Sequence, residues 1–158
     1  MDAIRLLREQ HDEVRGLFAE LVQTVDPEER ETIFQDIADT LAAHSMIEEM
    51  IFYPIAYEQD RREIAHAIAE HFVVKKLIAD TISLNVDDPS FDASVALLEA
   101  HVVHHIEEEE SELFEMVLNR VSDTELEGMG LEMQRLFDVE MEGEPVGRIL
   151  RDMKRASM

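Results

Sequence analysis

Cysteine is absent from the chain, which excludes disulfides, iron–sulfur clusters, thiolate zinc sites and cysteine nucleophiles, so any metal must be held by nitrogen and oxygen. Positive charge is scarce. Fourteen Lys and Arg stand against 37 Asp and Glu, a formal charge of −23 that repels nucleic acid and anionic lipid over most of the surface. The cations gathered near the end, Arg148, Arg151, Lys154 and Arg155, form too small a patch to reverse that balance. No apolar run is long enough to span a membrane, and the opening "MDAIRLLREQHDEVR" is charged and amphipathic rather than a secretory leader. A cytoplasmic location is the expectation. Helix breakers are also few, with five glycines and four prolines, and strand-like alternation is missing.

What is present is helical periodicity. Apolar residues fill 46% of 158 positions, enough for one domain with a full core, and they recur at threes and fours. Asp26 and Pro27 read as the cap and first residue of a second helix, so the first ends near Thr24. Pro54 is expected to weaken or kink the second helix, and "NVDDPS", residues 85–90, separates the third from the fourth. "SDTE", residues 122–125, fits a capping box that opens a fifth helix to about Met141, where "EGEPVG" stops it. Connections this short make neighbouring helices antiparallel. The expected fold is therefore all-α and a single domain over 1–158: an up-down-up-down four-helix bundle (about 1–120), an additional C-terminal helix (about 122–141) and a short tail, 142–158. The fifth helix has an apolar face of Leu126, Met129, Met133, Leu136 and Phe137 that either caps the bundle or pairs subunits, giving a monomer or a small homo-oligomer.

The inward stripes carry polar residues at core positions. In the first helix His11 fills the gap between Leu7 and Val14 on a face continued by Ile4, Phe18 and Leu21. The second helix runs Ile37, Leu41, His44, Glu48, Ile51, Ile55, the third Ile64, Ile68, His71, Val74, Ile78, and the fourth Leu98, Val102, His105, Glu109, Leu113, Met116. The second and fourth resemble each other: "AAHSMIEEMIFYP" (42–54) and "VHHIEEEESELFE" (103–115) lay His44 on His105, Glu48 on Glu109 and Tyr53 on Phe114. The first and third also match, His11 falling on His71. His11 and His44 are 33 residues apart, His71 and His105 34, so a repeated helix pair brings four histidines and two glutamates to one level of the bundle.

A single histidine on an apolar face is more often a hydrogen-bonded core residue than a ligand, and one His-x-x-x-Glu pair is common. The repetition on four stripes changes that balance. Two buried carboxylates facing each other are costly without cations, and their symmetric placement on opposite helices suits bridging between two ions. His66 and His104 fall off the stripes and read as solvent-facing or supporting residues, and Glu107, Glu108 and Glu110 as a solvated face beside the site. The spacing does not choose among iron, manganese and zinc.

The order His11, His44 with Glu48, His71, His105 with Glu109 resembles the H–HxxxE–H–HxxxE signature of hemerythrin-like (HHE cation-binding) domains over about residues 5–118. The resemblance implies a non-haem pair of iron ions, oxo- or hydroxo-bridged, in a four-helix bundle, with the four histidines as terminal ligands and Glu48 and Glu109 as bridges. Two departures from the oxygen-carrying hemerythrins stand out: Lys75 occupies the place of their second third-helix histidine, and the last carboxylate is a glutamate four residues after its histidine instead of an aspartate five after it. Two octahedral ions offer twelve positions; a bridging oxygen and two bridging carboxylates fill six, so four histidines leave two open where five would leave one. His101, one turn before His105, is the candidate for an additional ligand or a supporting residue. Implied functions are redox chemistry with peroxide, oxygen or nitric oxide, including catalase-like peroxide disproportionation, and, alternatively, reversible oxygen or iron binding for storage or sensing. A small diatomic or peroxide ligand is the expected partner, with neither nucleic acid nor membrane. A metal-stapled structural bundle is disfavoured, because a core of this size needs no metal. A ferritin-like oxidase would want two Glu-x-x-His motifs; only Glu63 with His66 qualifies, off the stripe.

Overall fold

The computed structural model describes residues 1–156, and every regular element among them is helical. The order is α1 (Ala3–Gln23), α2 (Pro27–Ile47), a π turn (Glu48–Phe52), α3 (Tyr53–Tyr57), α4 (Arg61–Ile82), α5 (Pro89–Glu108), a second π turn (Glu109–Leu113), α6 (Phe114–Arg120), α7 (Asp123–Glu142) and α8 (Pro145–Ala156). The helix starts follow from local chemistry. Asp2, Asp26, Asp60 and Asp88 accept hydrogen bonds from backbone N–H groups of the first turns of α1, α2, α4 and α5, and Ser122 does the same for α7. Pro27 and Pro89 sit where a missing N–H costs nothing.

These helices form the expected bundle: α1 packs on α2 and α4 on α5, while α1 with α5 and α2 with α4 close the ring. Helix α7 lies across α1 and α2, burying Leu126, Met129 and Met133. Its apolar face thus caps the bundle. The approach is close at Gly130, where an added Cβ would stand 2.1 Å from the carbonyl oxygen of Met1. Two apolar clusters fill the interior. One, around Leu7, Phe52, Phe114 and Met129, lies toward α7; the other, around Phe18, Ile37, Ile78 and Leu98, lies toward the opposite end.

Three sequence expectations are corrected. Residues 145–156 are helical rather than part of a tail: Val146 and Ile149 are buried, Arg148 pairs with Glu140 at 2.6 Å, and α8 packs on α2, α4 and α7. The turn between α7 and α8 uses Glu144 in the left-handed region, φ 58°. Residues 157–158, the end of the expected tail, lie outside the described residues. Second, the inward stripe of α2 does not run on through Ile51 and Ile55 as expected, Ile51 being only half-buried against the core. The π turn inserts one residue, so Phe52, Tyr53 and Ala56 face the core and Ile55 is exposed. Pro54, which cannot return a hydrogen bond to the preceding turn, falls immediately after this widened turn, and the helix continues to Tyr57. The second π turn likewise turns Phe114 and Val117 inward and leaves Met116 half-buried. Third, Ala67 replaces Ile68 on the α4 stripe; Ile68 is 42% exposed. At about 100° per residue, Ile64, Ala67, Val74 and Ile78 share an arc of about 80° with His71, and Ile68 lies outside it.

Candidate metal centre

Four helices and both π turns meet between the two apolar clusters. His11 comes from α1, His44 from α2, His71 from α4 and His105 from α5, while Glu48 and Glu109 are the first residues of the π turns. All six are buried, Glu48 completely. Their donor atoms form two groups, His11, His44, Glu48, Glu109 and Glu48, His71, His105, Glu109, within each of which the atoms lie within 4.8 Å of one another. Both carboxylates belong to both groups. Glu48 Oε1 lies 2.8 Å from His44 Nε2 and 3.3 Å from His71 Nε2. Glu109 divides its oxygens, Oε1 at 3.3 Å from His11 Nε2 and Oε2 at 3.3 Å from His105 Nε2. The structure thus brings together all six residues singled out in the sequence. His101 is exposed on α5 and outside both groups.

Each imidazole is fixed from behind. The Nδ1 atoms of His11, His44, His71 and His105 lie 2.6, 2.7, 3.0 and 3.0 Å from oxygens of Glu110, Gln10, Glu49 and Glu70. Carboxylate and amide oxygens only accept, so each Nδ1–H donates outward and each Nε2 lone pair is left for the interior. These four partners follow the internal repeat: the residue before the lone histidine (Gln10, Glu70) serves the histidine of the next long helix, and the residue after the glutamate (Glu49, Glu110) serves His71 or His11. Glu110 is therefore no part of a solvated face. Sequence reading missed this set because polar residues beside buried ligands look like ordinary surface; the only signal was their recurrence in register with the repeat.

The donors fit a pair of cations. The buried atoms His11 Nε2, His44 Nε2, both oxygens of Glu48 and Oε1 of Glu109 have no hydrogen-bond partner. His71 and His105 bring their Nε2 atoms to 3.1 Å. Lone pairs this close and this dry repel unless something positive lies between them. Without metal, protons take that part. Burial opposes a charge on His11, but the carboxylates of Glu109 and Glu110 beside it outweigh burial and lift the pKa to about 9. His71 and His105 are also raised against burial, by Glu48 and Glu49 and by Glu109 and Glu70. A nitrogen and carboxylate donor set without thiolate suits iron, manganese or zinc.

The two halves of the site differ beside this shared frame. The Tyr53 hydroxyl donates to Glu109 Oε2 at 2.6 Å and stands 3.1 Å from His71 Nε2. Phe114, its counterpart in the repeat, offers no hydroxyl and stacks on His11 with ring centroids 5.8 Å apart. Lys75 does not reach the centre; it pairs with Glu49 at 3.2 Å and so touches the group that holds His71. A void of about 20 Å³ lies among the four histidines and is otherwise lined by Gln10, Val14, Leu41, Ser45, Val74, Val102 and Ile106. That is room for a single water-sized ligand.

Such a fold and donor set define a helical bundle with a buried cluster of histidines and glutamates able to bind metal. Over residues 2–117 the sequence matches the family described as hemerythrin HHE cation binding domain, and the chain belongs to that family. The crystal structure of a hemerythrin HHE cation binding domain-containing protein from Mycobacterium kansasii superposes with a TM-score of 0.81 over 90% of this chain and 89% of that one, at 24% identity, a likeness of fold. A DNA nickase from Nostoc sp. (strain PCC 7120) is 31% identical over 126 residues. Those residues make up 77% of this chain and 35% of the relative, so the chain spans about a third of that protein's length.

Proposed function

We propose that the chain is a non-haem di-iron protein that performs redox chemistry on peroxide, oxygen or nitric oxide at an open site. The observation that carries this reading is the sharing of Glu48 and Glu109 by two complete groups of donors, which suits a bridged pair of ions better than one ion. Bound there, two iron ions would supply one-electron steps toward a small oxidant. The chain's own residues do the rest. The four outward hydrogen bonds hold the imidazole planes, the two apolar clusters exclude water, and the void limits the ligand to a few atoms. Burial first, then the charges of Glu109 and Glu48, push the Tyr53 hydroxyl well above its usual pKa, so it keeps its proton and acts as a fixed donor at the His71 and His105 end.

Reversible oxygen or iron binding is the second reading, favoured by the mostly aliphatic lining of the void, in which Ser45 and Gln10 are the polar side chains besides the histidines. Nucleic acid is a poor partner. The DNA nickase relative has some two thirds of its length outside the shared region, and here the charge is −23, with four of the fourteen cations on α8. Oxygen evolution from added peroxide, with metal content determined on the same samples, separates the readings. Sustained turnover supports redox chemistry; purely stoichiometric, reversible oxygen uptake replaces it with the second reading.

A further inference from the structure

On the outer side of α4 and α5 stands a second pair of His-x-x-x-Glu motifs, His66 with Glu70 and His104 with Glu108. Helical spacing puts each pair on one face, and the packing of α4 on α5 brings the faces together. His66 Nε2 lies 3.6 Å from Glu70 Oε1 and 3.4 Å from Glu108 Oε2; His104 Nε2 lies 3.3 Å from Glu108 Oε1 and 4.0 Å from Glu70 Oε2. Ordinary contacts one turn apart account for two of these four separations. They do not account for the crossed ones. Donors bound to one ion at about 2.0–2.1 Å in a tetrahedron stand about 3.3–3.4 Å apart, which the two separations to Glu108 match while the two to Glu70 are longer. Donor atoms of His66, Glu70 and Glu108 lie within 4.8 Å of one another, and Glu108 Oε2 is shielded from solvent without a hydrogen-bond partner. Both imidazoles are exposed, as an ion arriving from solution requires.

We propose that His66, Glu70 and Glu108, with His104 beside them, form a surface site for a divalent transition-metal ion. It is joined to the buried centre by one residue, since Glu70 Oε1 also accepts from His105 Nδ1 at 3.0 Å. An ion held there is a single carboxylate away from a ligand of the interior, which makes the site a staging position for cations entering the bundle.

Zinc binding to the purified protein, with whatever metal it carries inside, tests this by calorimetric titration and by counting bound ions after dialysis. The wild type is expected to take up one more Zn²⁺ per chain than the His66→Ala/His104→Ala double variant, while both keep the same interior metal content and helical circular dichroism. Because the difference in count carries the result, it stands or falls independently of how many ions the interior holds. Glu108→Gln, which keeps both histidines and removes one anionic donor, is expected to weaken the extra ion at least tenfold. Equal zinc counts in wild type and double variant, or unchanged affinity in Glu108→Gln, would overturn the proposal.

Discussion

Tyr53 donates its hydroxyl proton to Oε2 of Glu109 across the bundle at 2.6 Å, linking the end of one repeat unit to the carboxylate of the other. Tyr53→Phe removes this buried donor and leaves the fold's shape unchanged. The metal-free variant is expected to lose about 1–3 kcal/mol of stability, the cost of leaving a buried charged acceptor short of a partner. Urea unfolding of the metal-free proteins checks it, and coincident midpoints would show that Glu109 draws nothing from the hydroxyl.

The hydrogen bonds behind the histidines should matter nearly as much as the histidines. Gln10→Ala frees Nδ1 of His44, and Glu110→Ala frees Nδ1 of His11. Each is expected to weaken metal binding about 10–100-fold while leaving the helical content intact. Competition with a calibrated chelator measures this directly; wild-type affinity in both variants would mean that ring orientation is set by packing alone.

Most of the fold was legible because core periodicity, caps and short connections all pointed one way, and the six donors because histidine and glutamate interrupt apolar stripes in a repeated pattern. The π turns were not. One inserted residue leaves the composition unchanged yet rotates everything after Glu48 and Glu109, so Phe52 and Tyr53 took the places given to Ile51 and Ile55. Both insertions begin at a glutamate shared by the two groups of donors, where a widened turn re-aims the side chain. Helix α8 was hidden by its cations: Val146, Ile149 and Met153 form a stripe, but one short and diluted by Arg148, Arg151, Lys154 and Arg155. Ala67 was passed over for a larger neighbour, although the helical arc favours it.

Protonation of the metal-free site gives a pH signature. The folded pKa of His11, about 9, lies above its ordinary 6.5, and His71 and His105 shift the same way. Such groups stabilise the metal-free fold fully below pH 6.5 and lose that contribution as pH rises through 9. Metal binding releases the same protons, so affinity climbs over the same window. The gap in Tm between metal-loaded and metal-free protein is therefore expected to widen from pH 6.5 to 9. A gap independent of pH would contradict the coupling.

Docking of α7 depends on a position without a side chain. Gly130→Ala would drive a methyl group into the backbone of Met1 and Asp2, which a flexible side chain cannot relieve. A loss of about 1–3 kcal/mol is expected, the usual cost of overpacking. Gly128→Ala, at a position with open space around it, serves as the control and should be neutral or slightly stabilising. Equal melting temperatures for the two variants would show that the terminus yields freely.

The central claim, a pair of ions sharing Glu48 and Glu109, is tested most directly by metal analysis of purified wild type, Glu48→Ala and Glu109→Ala, with an absorption spectrum of each. About two irons per chain and an oxo-to-iron charge-transfer band are expected in the wild type. Each variant loses a carboxylate common to both groups of donors, so iron should fall well below two and the band should disappear. One iron per chain in the wild type, or full occupancy in either variant, would contradict the shared site.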